Sequence, residues 1–197
     1  MYKIVALVGM SGSGKDYILR ELCQSNDYHE IISNTTRPIR ENEQDGVNYH
    51  FLSEKEFMQK KHNGEMLETA DFREWHYGTS YDNLDETKIN IGVYNPTGFI
   101  SLLNNTNVDV LSIMVSCSDK ERVIRQLNRE EHPDVDEIIR RYSTDKDDFD
   151  DMWQYLRRKK YLAYHFVHND KDANIQDICA EINQLVKNWL DNSPKNE

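Results

Sequence analysis

The stretch that most constrains the fold is VALVGMSGSGKDYILREL, residues 5–22. A β-branched run from Tyr2 to Val8 ends at once in Gly9, and Gly9, Gly14 and Lys15 complete the pattern GxxxxGK. Beyond Lys15 the apolar residues Ile18, Leu19, Leu22 and Cys23 recur at helical spacing. In the order strand, glycine loop, helix, the loop turns its backbone N–H groups and the positive end of the helix towards one point. A polyphosphate fits that point, with Lys15 reaching its β and γ oxygens. The candidate triphosphate site is therefore Gly9, Met10, Ser11, Gly12, Ser13, Gly14, Lys15 and Asp16. The plainer alternative, a glycine-rich turn with a solvated lysine, does not call for the flanking strand and helix. Asp16 is unexpected, because the pattern wants a hydroxyl there.

The rest of the chain alternates in the same way. A second strand is expected near Glu30 to Ser33, and VDVLSIMVS, from Val108 to Ser116, is the strongest continuous strand signal. Ser118 with Glu121 has capping-box spacing and predicts a helix from Asp119 towards Arg129. A long helix follows from Asp136 to Tyr161, then a strand at YHFVHN, then a helix carrying Ile175, Ile178, Ile182, Val186 and Trp189 on one face. Strands alternating with helices predict an α/β fold: three αβα layers around a parallel central sheet. Residues from about 34 to 87 break the rhythm and are expected to form an inserted substrate lobe. That leaves a core of 1–33 and 88–190, and a tail of 191–197.

At 197 residues the chain suits one domain. A net charge of −11 disfavours broad adhesion to nucleic acid or anionic lipid, so any phosphate site must be locally basic. No run approaches the roughly 20 apolar residues of a membrane span, and the chain enters directly on a strand, which predicts a cytoplasmic protein. Cys23, Cys117 and Cys179 are far apart and are expected to be reduced core thiols.

Two further segments carry chemistry. In SNTTRPIRENEQDGVNYHF, Arg37 and Arg40 flank Pro38, and Tyr49 follows. Two guanidiniums and a phenol suit a monophosphate, each unit charge pair being worth roughly 4 kcal/mol before desolvation. The alternative is a solvated loop with scattered arginines. In EMLETADFREWHYGTSYD, Glu68 can accept from the N1–H and N2–H₂ of guanine, an edge adenine does not offer, so a wrong base would leave it unsatisfied. Taken alone, a glutamate such as Glu68 is more often a surface acid.

Together, the initial GxxxxGK, then TTRPIRENEQDGVNYHFLSEKEF, then GEMLETADFREWHYGTS resemble the guanylate kinase family in order and spacing. The likeness continues more weakly through RVIRQLNRE, EIIRRYSTDKDDF and YHFVHNDKD, covering about residues 3–185. It implies a P-loop NTPase core, a small mixed α/β lobe for a nucleoside monophosphate, a helical lid at about 129–141, and transfer from ATP to GMP or dGMP with Mg²⁺. By this resemblance Arg37, Arg40, Tyr49 and Tyr77 hold the acceptor phosphate, and Ser33, Glu68 and Thr79 contact guanine. Arg129 and Arg141 close on the ATP phosphates, with Lys15 and Arg37 completing the catalytic set, and Asn169 lies near adenine. The implied partners are ATP and a purine monophosphate, with the protein a monomer or a homodimer.

Two departures fall around the metal. The family's loop ends in GKS or GKT, and its later strand carries aspartates where KINIGVYNPTG offers Asn90 and no acid. Asp16 then either supplies the missing metal ligand or only caps its helix, marking weakened catalysis. A kinase for another phosphorylated acceptor, such as a ribose phosphate, and a phosphopeptide-binding module of this family are the competing functions.

Overall fold

The computed structural model describes residues 1–40, 43–72, 74–129 and 131–192. Outside it lie Glu41 and Asn42 of the arginine and tyrosine motif, Arg73 of REWHYGTS, Glu130 of the expected lid, and 193–197 of the expected tail. In chain order the elements are β1 (Tyr2–Val8), α1 (Lys15–Leu22), β2 (Tyr28–Glu30), β3 (Asn34–Thr35), β4 (His50–Phe51), α2 (Glu54–His62), β5 (Met66–Phe72) and β6 (Trp75–Ser80). They continue with β7 (Ile89–Tyr94), α3 (Pro96–Leu103), β8 (Val108–Ser116), α4 (Asp119–Leu127), α5 (Val135–Lys159), β9 (Tyr164–His168) and α6 (Ile175–Asn192).

The apolar run of β1 is covered on both faces, and Ile4 to Val8 are fully buried. It is the middle strand of a parallel sheet in the order β2, β7, β1, β8, β9. Alternate residues feed two cores. Val5 and Leu7 meet Ile18, Leu22, Ile178 and Ile182 of α1 and α6. On the other face Ile4, Ala6 and Val8 meet Phe99, Leu102, Met152 and Leu156 of α3 and α5. This is the expected three-layer arrangement, and among the described residues no helix is long and apolar enough to cross a membrane.

Between β2 and β7 the chain builds a second sheet, β4, β3, β6, β5, in which β3 and β5 run antiparallel to β6. A capping box starts α2: the Glu56 N–H donates to Ser53 Oγ, and the Ser53 N–H to Glu56 Oε2. Asn95 caps α3, its Oδ1 accepting from Gly98 N at 2.7 Å, with Pro96 at the first helical position. The first turn of α3 meets β5, so the sheets join where Glu68 lies.

Several expectations need correction. The second strand is Tyr28–Glu30, because the chain is already crossing to the second sheet at 31–33, although Ile31 N still donates to Ile91 O. The Ser118 capping box does not form: the Ser118 N–H goes to Asp170 Oδ1 at 3.0 Å, and Glu121 pairs with Arg125. The three free cysteines are only half-buried. Helix α6 runs to Asn192, two residues into the expected tail.

Candidate active site

Sequence forces the loop after β1 into an unusual shape. Gly12 and Gly14 take φ values of 78° and 91°, in the left-handed region that glycine tolerates. A Cβ on Gly14 would collide with the Asn169 amide, whose Nδ2 donates to Ser13 O at 2.8 Å and clamps the loop from β9. Gly14→Ala is expected to destabilise the protein by about 2 kcal/mol or more and to weaken ATP binding, measured by denaturation and titration.

Arg122 supports the loop from α4. It is almost fully buried, its Nε donating to Ser11 O at 3.0 Å, Nη1 to Asp119 at 3.0 Å and Nη2 to Asp145 at 3.1 Å. Asp145 also accepts from the Ser11 N–H and hydroxyl. Lys15 folds back, donating from Nζ to Met10 O at 3.1 Å, and burial pushes its ammonium below the ordinary lysine range. Asp16 is exposed on the first turn of α1. Burial first, then Tyr77 and the Asp16 carboxylate, push the Tyr49 phenol upward.

Beside Ser11 opens a cavity of about 210 Å³. Arg37, Arg40 and Tyr77 line it from the second sheet, and Arg141 from α5, four residues that the sequence singles out. Arg37 is bidentate on Glu43 at 2.8 and 3.0 Å and stacks near Tyr49 at 5.5 Å. Glu43 also accepts from the Arg40 N–H, and the hydrogen bond from Arg37 holds its carboxyl below the usual range. Arg141 donates to Glu137 at 2.9 Å.

Glu68 is 6% exposed, and burial pushes its carboxyl up to about 7 against the opposing pull of Thr79. Thr79 is fully buried, and its hydroxyl makes no hydrogen bond of ordinary geometry. Asn34 pins this corner, its Nδ2 donating to Ser80 Oγ at 2.8 Å. Ser33 is half-buried beside Asn34, and its carbonyl accepts from His50 N at 2.9 Å.

Of the expected residues, Lys15, Asp16, Ser33, Tyr49, Glu68, Thr79, Asn169 and Arg129 do not line this cavity. Arg129 lies exposed on the turn beyond α4, which Asn128 caps, and does not line it. Asn90 is not at the metal side: it is buried within β7, bonded to Asp85 at 2.7 and 2.8 Å. The strand's outer end is Tyr94, followed by Asn95. Arg140, Trp75 and Asp145 also line the cavity, and sequence reasoning missed them along with Arg122 and Glu43. Only the Arg140–Arg141 doublet offered a signal, and spacing alone does not say which of two neighbours turns inward.

The family pattern described as guanylate kinase matches residues 1–156. Among curated relatives, the guanylate kinase of Sulfurimonas denitrificans is 31% identical over 198 residues, covering 95% of this chain and 96% of the relative. That of Malacoplasma penetrans is 34% identical over 196 residues, covering 91% of each. A crystal structure of guanylate kinase from Anaplasma phagocytophilum shares the fold, with a TM-score of 0.65 at 20% identity, covering 96% of this chain and 87% of that one.

Proposed function

The chain belongs to the guanylate kinase family, and from that membership we propose direct in-line transfer of the γ-phosphoryl group of ATP to GMP or dGMP. One observation carries the assignment of parts. Ser11 of the phosphate loop lines the same cavity as Arg37, Arg40 and Tyr77. The alternatives, a sugar-phosphate kinase or a peptide-binding module, are not favoured: the first does not call for a buried Glu68, the second for an intact GxxxxGK.

In this reading the second sheet is the acceptor lobe, residues about 129–141 are the lid, and the loop amides and Lys15 take the ATP phosphates. Arg37 and Arg40 take the acceptor phosphate with Tyr49 and Tyr77, while Arg141 neutralises charge on the transferring group and Arg129 swings in from the lid. Ser33, Glu68 and Thr79 read the base, and Asn169 borders the adenine. The acceptor is already an oxyanion, so positioning and charge neutralisation do the chemistry without a strong base. The protein acts in the cytoplasm as a monomer or a homodimer.

Mg²⁺ fits this donor, since the ion is commonly held by one or two carboxylates together with substrate phosphates, and the Asp16 carboxylate is exposed in the first turn of α1, next to Lys15. Asp16 would hold it directly or through water, and the bound ion would neutralise charge on the β and γ oxygens. Asp16→Ser is expected to raise the Mg²⁺ concentration for half-maximal turnover severalfold and to weaken Mn²⁺ binding in the ATP complex. Unchanged metal dependence by both measures would remove Asp16 from the metal.

The assignment is tested by an ADP-release assay over all ribo- and deoxynucleoside monophosphates, with and without Mg²⁺. Turnover confined to GMP and dGMP is expected. Equal activity on AMP would defeat the role given to Glu68.

A further inference from the structure

The base site holds one polar group more than the family resemblance supplies. Tyr94 ends β7 opposite Val8 of β1, and its side chain is 4% exposed. Its hydroxyl is buried and, like that of Thr79, makes no hydrogen bond of ordinary geometry. The ring lies back over Gly92, where a Cβ would stand 3.1 Å from the ring edge and 3.3 Å from the hydroxyl. Glu68 reaches the same corner from β5, its Oε2 3.2 Å from where a Cβ on Gly98 would stand in the first turn of α3. Burial first, then the neighbouring Glu68 carboxylate, push the Tyr94 phenol above the ordinary tyrosine range, against the opposing pull of the Thr79 hydroxyl beside it.

A buried hydroxyl without a partner destabilises the unliganded protein, and phenylalanine would fill the same space without that cost. Two polar groups stand near that hydroxyl, Thr79 and the Glu68 carboxylate, and of the two only Glu68 is an anionic acceptor. We propose that Tyr94 is a positioning residue for base recognition, its hydroxyl donating to the Glu68 carboxylate when a guanine edge docks and turning the remaining lone pairs towards the base. The inference rests on the reading of Glu68 given above. A carboxylate offers about four acceptor positions, so two base N–H donors, Thr79 and one tyrosine donor fill them. The favoured class is a purine monophosphate with adjacent donors at N1 and N2; hypoxanthine, lacking the 2-amino group, gains less.

The test compares Tyr94→Phe, Glu68→Gln and the double variant by GMP calorimetry, steady-state kinetics and thermal denaturation of the unliganded proteins. Tyr94→Phe is expected to raise Kd and KM for GMP about tenfold, change kcat less than about twofold, and leave the unliganded Tm at or above wild type. In the Glu68→Gln background the same change is expected to add less than about twofold, the non-additivity of groups that act together. Loss of packing alone would instead lower Tm and persist in that background. The inference is overturned if Glu68→Gln weakens GMP binding while Tyr94→Phe matches wild type, or if the tyrosine penalty is undiminished in the double variant. Wild-type GMP binding by Glu68→Gln would defeat the base reading itself, and this inference with it.

Discussion

Lys15→Met is expected to lower kcat roughly a thousandfold while leaving GMP binding within about twofold, measured by single-turnover phosphoryl transfer and GMP calorimetry. Nζ rests on the Met10 carbonyl, a neutral partner that on the proposed reading ATP oxygens would replace with a charge-assisted one. Burial depresses the ammonium's pKa, so it is a cation held where water screens it poorly. Such a charge is most valuable as negative charge redistributes during transfer, which is why kcat falls further than affinity. Methionine keeps the length and apolar stem, separating loss of charge from collapse of the loop. A variant retaining a tenth of wild-type kcat would place the main stabilisation elsewhere.

Glu68→Gln is expected to raise KM for GMP about a hundredfold and to erase most of its advantage over AMP. The amide turns one acceptor into a donor facing another donor, in a site too dry for water to repair the mismatch. Burial pushes the wild-type carboxyl up to about 7, so KM for GMP should rise about tenfold per pH unit below that, as the group takes up a proton. Stability runs the other way. A carboxyl raised in the folded state contributes stability below its unfolded value near 4.5, and this is lost as pH rises through about 7. Unliganded Glu68→Gln should therefore exceed wild type at pH 8, on the order of 3 kcal/mol, and lose that advantage towards pH 4.5. A pH-independent difference would mean that Glu68 does not titrate in this range.

What the sequence made legible was whatever is local. The strand, loop and helix around Lys15 are contiguous and depend on glycine conformation, so residues 2–22 could be placed at once. Strand order could not, because parallel neighbours such as β7 and β1 lie more than eighty residues apart and the intervening chain builds another sheet. The Ser118 box had the right spacing and failed because Asp170, from a distant segment, took the amide first. Arg122 and Arg129 look alike in RVIRQLNRE, yet one is buried against Ser11 and the other exposed, a difference set by helix phase and end point. At the buried corner of Glu68 and Thr79, the motif singles out both residues. It does not single out Tyr94, since an aromatic residue in a strand looks like core, and its unpaired hydroxyl shows only once the fold surrounds it.

The clasp between Arg37 and Glu43 bears on selectivity of another kind. A resting cleft with open guanidiniums would collect whatever small anion the surroundings hold in excess. Here Glu43 already fills the fork, and on the proposed reading an incoming monophosphate would have to evict it. Net affinity would then be a difference between two tight pairings. Inorganic sulfate, with no base to anchor it, has little with which to force that exchange.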